Sequence, residues 1–255
     1  MALLTDGNPN DTEALRVYET AILSVANVEM IDLDTKLGLA TEEISEDVLD
    51  ILLDHPLMDP RAVVRRTFGV GDVVVTRQLK RWHALHTLEI VYRDAFNNQL
   101  NDRYKPKWDE YGELAREAEQ QTEHFGIGLV FNPIPKAVTP LLSVVPGLVP
   151  ATLYYVRVSW VSASGQEGEP SDVTAFETVD GSLLVVQAVQ PPAIAAGWNV
   201  YIGLTDSTLT LQNSAPVPVG QSFTLPPTGL VNGRPPGDGQ IPNVYVLGGQ
   251  MLRRG

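Results

Sequence analysis

Between Thr76 and His124 the apolar positions return every three or four residues, the spacing of one face of an α-helix. Trp82, Leu85, Leu88, Tyr92, Ala95 and Phe96 form a first stripe. Trp108, Tyr111, Ala115 and Ala118 form a second, with Asp109, Glu110, Glu113, Arg116, Glu117 and Glu119 around it. Pro106 has no N–H and fits the first turn of the second helix. The pattern predicts a long helix, a break near Asn101–Lys105 and a second helix. Trp82, Tyr92, Phe96, Trp108 and Tyr111 are the expected helix-packing aromatics, because each stripe is too wide for a solitary helix in water.

Upstream, Asn10-Asp-Thr-Glu13 reads as a capping box with Asn10 as the cap. Leu15, Tyr18, Ala21, Ile22 and Val25 continue it as a helical stripe. Residues 28–39 carry a weaker pattern interrupted by Gly38. Ser45 is predicted to cap a further helix, with Glu46 and Asp47 in its first turn and Ile44 and Leu49 as a hydrophobic staple; Pro56 lies beyond its end. Val70–Val75 reads as an extended lead into the long helix, capped by Thr76. Arg61, Arg65 and Arg66 cluster after Asp59-Pro60, either as a solvated face or as a contact for an acidic neighbouring subunit.

Past His124 the period changes from three-and-a-half to two. Residues 126–135 hold two glycines and two prolines, which marks a boundary. Tyr154, Val156, Val158 and Trp160 then alternate with Tyr155, Arg157, Ser159 and Val161, a half-buried strand. Asp180-Gly181 between two apolar runs predicts a hairpin joining Val173–Val179 to Ser182–Val189. Trp198, Val200 and Ile202 mark another strand, and one or two more fall between Leu209 and Leu225. From Gly229 onward Gly and Pro are dense, and Ile241, Val244, Tyr245 and Leu247 form an apolar patch with no core behind it; Arg253 and Arg254 follow. The patch predicts a tail that docks into a partner, with Arg61, Arg65, Arg66, Ile241, Val244, Tyr245, Leu247, Arg253 and Arg254 as candidate contacts.

The whole reads as an α + β multidomain chain. Residues 1–125 are a helical bundle, 126–136 a linker, 137–230 an antiparallel β-sandwich and 231–255 an extended docking tail. Tyr155-Val-Arg-Val158, Ser162-Ala-Ser-Gly165 and Gly168-Glu-Pro-Ser171 resemble fibronectin type III and related immunoglobulin-like modules. The segment Gly197–Gly203 looks like their Trp-bearing central strand, though it follows the Gly-Glu-Pro-Ser segment rather than preceding it. In the helical half, Leu79-x-x-Trp82-His83, Tyr92-Arg-Asp-Ala95, Leu100-Asn-Asp-Arg-Tyr104, Lys107-Trp108 and Tyr111 resemble the long helical pair of tailed-phage head–tail connector (adaptor) proteins.

The connector resemblance implies architecture and no chemistry. It implies a dodecameric homo-oligomeric ring in the virion, assembled in the host cytoplasm. The ring joins the portal protein to tail or neck proteins, with capsid as a further neighbour, and lines part of the channel through which DNA passes without specific binding. A second reading makes the β-sandwich a virion-surface or neck module that binds carbohydrate or protein, with Tyr155 and Tyr201 on its binding face. A third is an accessory domain to an enzyme on another chain.

Composition sharpens this picture. The chain of 255 residues has a net charge of −13, with 24 of its 31 acids and 13 of its 18 bases in residues 1–125. Such a balance argues against gripping a polyanion, which rests on clustered Lys and Arg. The absence of cysteine removes disulfides and thiol chemistry. No apolar run approaches the roughly 20 residues a membrane span requires, and the N-terminus lacks the basic segment and apolar core of a signal peptide. His83, His86 and Glu89 stand at steps of three, which drift round a helix and do not converge as two His at i and i+4 do; a packed or hydrogen-bonded pair of His is expected there. There is no Gly-x-Ser-x-Gly elbow and no phosphate loop. The expectation is a non-enzymatic chain with no catalytic residues, cofactor or metal.

Overall fold

Five helices open the computed structural model: α1 (Thr12–Tyr18), α2 (Ile22–Glu29), α3 (Leu33–Asp54), α4 (Arg77–Gln99) and α5 (Lys105–Phe125). Eleven short strands follow among the described residues, which are 1–54, 67–99, 102–247 and 250–253. The first six are β1 (Ile127–Leu129), β2 (Leu141–Pro146), β3 (Leu153–Ser162), β4 (Thr174–Glu177), β5 (Ser182–Gln187) and β6 (Ala195–Gly203). The rest are β7 (Thr210–Leu211), β8 (Val217–Pro218), β9 (Phe223–Thr224), β10 (Val244–Leu247) and β11 (Gln250–Arg253). Every pairing between these strands is antiparallel.

The chain forms two units that do not follow sequence order. A helical unit takes Leu4–Phe131 and Pro242–Gly255; a sheet unit takes Met1–Leu3 and Asn132–Ile241.

In the helical unit, α4 buries Leu79, Trp82, Leu85, Leu88, Tyr92 and Ala95, and α5 buries Tyr111, Ala115 and Ala118. Full burial of each large apolar side chain contributes about 1.5–3 kcal/mol. The Tyr92 and Tyr111 rings stack at 5.5 Å, and the half-buried Phe96 and Trp108 meet at 5.7 Å. Thr76 caps α4, its hydroxyl accepting from the Leu79 amide at 3.3 Å.

Two caps differ from those the sequence predicts. Asp11, not Asn10, caps α1, accepting from the Ala14 amide at 2.8 Å. Asn10 is drawn instead to the Lys80 carbonyl and the His83 ring. Ser45 caps nothing: it lies inside α3, and its hydroxyl donates to the Thr41 carbonyl at 2.6 Å. The reason is the stripe Leu37, Ala40, Ile44, Val48 and Leu52, all buried, which runs unbroken through both predicted helices. Packing of one continuous face outweighs the modest helix cost of Gly38 and Ser45.

A three-stranded sheet, β1–β10–β11, belongs to the same unit. Gly126 makes it possible. It closes α5 at φ +91, and a Cβ there would stand 2.9 Å from the Val246 carbonyl oxygen. Ile127 and Leu129 on β1 and Val244 and Val246 on β10 are buried in the helical core. The segment after the Val70–Asp72 turn lies beside β1, the Val74 amide donating to the Gly128 carbonyl. Parts of the expected linker (127–129) and of the expected docking tail (244–247 and 250–253) are therefore strands of the helical unit, while 132–136 and 231–241 belong to the sheet unit. Of the apolar patch, Val244 has a core behind it, supplied by its own chain.

The sheet unit has a three-stranded sheet, β2–β5–β9, and a five-stranded one, β4–β3–β6–β7 with β8 also on β6. One apolar cluster draws on both: Val156, Val158 and Trp160 from β3, Trp198, Val200 and Ile202 from β6, and Leu184 and Val186 from β5. Register sets Val158 opposite Val200 and Trp160 opposite Trp198. Asp180-Gly181 does not close a hairpin. β4 pairs with β3 whereas β5 pairs with β2, so this turn carries the chain from one sheet to the other. Gly181, at φ +71, is held by the 147–149 segment, its carbonyl accepting from Gly147 and its amide donating to Val149.

Candidate functional site

Polar groups swallowed by a helical core need partners there. His83, fully buried, has them on both ring nitrogens. Asn10 Nδ2 lies 3.0 Å from Nδ1, and Nε2 lies 2.9 Å from Thr41 Oγ1 and 3.1 Å from the Leu37 carbonyl. An amide donating to Nδ1 leaves Nε2 as the protonated nitrogen of a neutral ring. Burial agrees, pushing the imidazole down to about 4. One neutral histidine thus ties α3, α4 and the chain before α1.

His86, one turn on, is of opposite character. Its Nε2 is 2.6 Å from Glu43 Oε2, and its Nδ1 is 3.2 Å from Glu89 Oε2. Burial pulls its proton affinity down, but the Glu89 and Glu43 carboxylates outweigh that and hold the pKa above the ordinary histidine value. The two histidines bond to separate partners rather than to each other. Among the described residues no three acidic or histidine side chains are placed to hold a metal ion.

Tyrosines join the small helices to the long ones. The Tyr111 hydroxyl donates to Glu19 Oε2 at 3.0 Å, and Lys107 reaches the same carboxylate at 3.2 Å. The Tyr104 hydroxyl donates to Glu29 Oε1 at 2.7 Å, while Glu29 Oε2 is buried without a hydrogen bond. These are structural joints. They explain why the aromatic stripes are rich in Tyr, which carries apolar area and a polar tip together.

The sheet unit has a comparable hub at Glu167. Ser159 and Tyr201 hydroxyls donate to its Oε1, and Arg234 pairs with its Oε2. Tyr201 is fully buried, so it is not on a binding face, and Tyr155 is half-buried. The alternation of β6 signals inward Trp198, Val200 and Ile202; over the Tyr201 ring, at 5.5 Å, stands the Arg234 guanidinium that also pairs with Glu167.

The predicted partner contacts scatter. Arg61, Arg65, Arg66 and Arg254 lie outside the described residues, and Arg253 ends β11. Val244 is in the core, Tyr245 and Leu247 are half-buried, and Ile241 is exposed at the end of the sheet unit. Of the helix-packing aromatics, Trp82, Tyr92 and Tyr111 are buried, and Phe96 and Trp108 pack against the same core.

A surface the sequence reading passed over lies on α1 and α2. Val17 is 82% exposed, Val28 58% and Met30 94%, with Tyr18 and Leu23 beside them in sequence also exposed. Met30 closes α2 at φ 54, the left-handed region where Gly or Asn is usual. Tyr18 and Ala21, expected in the buried stripe with Leu15 and Ile22, are exposed because α1 ends at Tyr18 and α2 starts afresh at Ile22, so the stripe does not run on from one to the other. An apolar residue off the stripe has no place in its own helix's core. No protein-family model matches the chain, and no match was found among curated proteins.

Proposed function

We propose that the chain is a non-enzymatic structural protein of a tailed-phage particle, a subunit of the connector ring between portal and tail. Its helical unit packs against copies of itself round the DNA channel, and its sheet unit is an immunoglobulin-like sandwich. The observation that carries the reading is the exposure of Val17, Val28 and Met30 on and just after α1 and α2, in an acidic unit that also leaves Leu53 and Phe125 uncovered. Side chains of that kind scattered singly need no explanation, but five within Val17–Met30 suit a subunit contact. The α4–α5 pair that resembles connector helices backs them, since α1 and α2 both pack on α4. Contacts between one face and a different face of the next copy generate a ring when the rotation closes. The acidic balance suits a channel wall, since duplex DNA slides past carboxylates and is trapped by clustered Lys and Arg.

For the sheet unit, support comes from antiparallel sheets of short strands that share one apolar cluster. Native mass spectrometry of the purified chain tests the ring. A closed homo-oligomer, lost in a Val17→Asp, Val28→Asp double variant that keeps its helical circular dichroism, is the expected result. A monomer at all concentrations, or a ring indifferent to both substitutions, would overturn the reading.

A further inference from the structure

We infer that β2 pairs through its free edge with β2 of a second copy of this chain, antiparallel and about a two-fold axis at Ser143. The strand ends its sheet, bonded to β5 on one side and, among the described residues, to no strand on the other. It is also largely exposed: Leu141 is 61% open, and Ser143, Val144 and Val145 are exposed too. Folded proteins blunt such edges with charge, proline, bulges or covering loops, and β2 has proline only at its two ends, Pro140 and Pro146. Here the chain carries no charged residue between Lys136 and Arg157, and β2 pairs with β5 without a bulge.

The register says which groups are free. Gly147 donates to the Gly181 carbonyl at 2.7 Å, next in line after Pro146 opposite Ser182. In an antiparallel ladder the bonded pairs alternate. Val145, Ser143 and Leu141 therefore bond to β5, and Leu142, Val144 and Pro146 turn their backbone groups outward. Pro146, lacking an N–H, sits where none is needed. The free N–H and C=O groups of Leu142 and Val144 are two residues apart and centred on Ser143. A second β2 laid antiparallel sets Leu142 against Val144 of the copy and Val144 against its Leu142, which makes four hydrogen bonds.

Pro140 and Pro146 flank Ser143 at equal distances, so the pairing stops at both ends and makes a pair of copies, not a fibre. On the outer face the exposed Leu141 of each copy falls opposite Val145 of the other. A charged partner strand would find no opposite charge on this edge. A second copy matches it in both polarity and hydrogen-bond spacing. This pairing goes beyond the ring, whose contacts the helical unit supplies.

The absence of cysteine makes the test clean. Across the two-fold, Ser143 faces Ser143 of the copy as a non-hydrogen-bonded pair. There Cα atoms stand about 4.5 Å apart, within reach of a disulfide. Full-length Ser143→Cys should cross-link to a dimer under mild oxidation. Leu148→Cys, 96% exposed but outside the paired stretch, should cross-link about tenfold more slowly or less, at the rate of chance collision. Ser143→Lys sets two ammonium groups face to face. It should halve the mass of the assembled species in sedimentation equilibrium and leave the circular dichroism unchanged. Equal cross-linking rates in the two cysteine variants, or an assembly mass indifferent to Ser143→Lys, would overturn the pairing. Loss of the helical ring alone would leave the Ser143→Cys cross-link intact.

Discussion

Replacing Val244 and Val246 together by alanine tests whether β10 is part of the helical core. Both side chains are 1% exposed, set opposite Leu129 and Ile127 on β1. Each substitution removes two methyl carbons, worth about 0.8 kcal/mol per carbon in transfer from water. The four carbons together account for about 3 kcal/mol, and incomplete closure of the space they leave adds to it. Alanine keeps the ladder hydrogen bonds and the ordering cost of the strand, so packing alone changes. Because the two sites share neighbours, their effects couple, and the pair should cost on the order of 3–4 kcal/mol rather than a strict sum. Against a typical domain stability of about 5–15 kcal/mol that loss is large. Urea unfolding followed by circular dichroism at the helical band reads it directly, since the helices lie in this unit. A loss below about 1 kcal/mol would mean that the tail leaves before the helices unfold, and would refute its place in their core.

Two further outcomes follow from the buried polar groups. Between pH 6.5 and about 4 the unfolded chain takes up a proton at His83 that the folded ring refuses, so stability falls as pH drops through that window. His83→Gln should remove up to about 3 kcal/mol of that acid loss; parallel wild-type and variant profiles of unfolding free energy against pH would refute the neutral-ring assignment. Glu167→Ala strands the Ser159 and Tyr201 hydroxyls, both in fully buried residues, and should cost about 2–4 kcal/mol. Faster amide exchange along β3 and β6 is its signature, and unchanged protection there would deny Glu167 its part in the sheet unit.

Long elements were legible because their signal is local. The Trp82-to-Ala118 stripes and the Tyr154-to-Trp160 alternation repeat often enough to fix a period, and the structure buries the faces they mark. Short strands were not legible. β1 has three residues and β10 four, and each acquires a reason to be extended only from the other, far away along the chain. β2 likewise draws its order from β5. Local rules failed where a distant partner outbid them: Asn10 went to His83, Ser45 yielded to the stripe around it, and Asp180-Gly181 turned between sheets instead of within one. The exposed set on and just after α1 and α2 and the free edge of β2 carry no motif at all. They show only as apolar residues that the fold leaves uncovered.

The pairing of Leu129 with Val244 has a consequence for the order in which the molecule folds. These residues are about 115 positions apart in the chain, and closing a flexible loop of that length costs about 4 kcal/mol in entropy. The sheet unit can lift most of that cost beforehand, because it fastens its own two ends together. Gln240 accepts from the Ile134 amide at 2.6 Å and donates to the Asn132 carbonyl at 2.9 Å. Once folded, the inserted unit presents β1 and β10 to each other as a short hairpin would. β10 thus waits on the insertion, and pulse-labelled amide exchange should find Val200 protected before Val246. A helical unit whose final step depends on a β insert cannot close its core before that insert has folded.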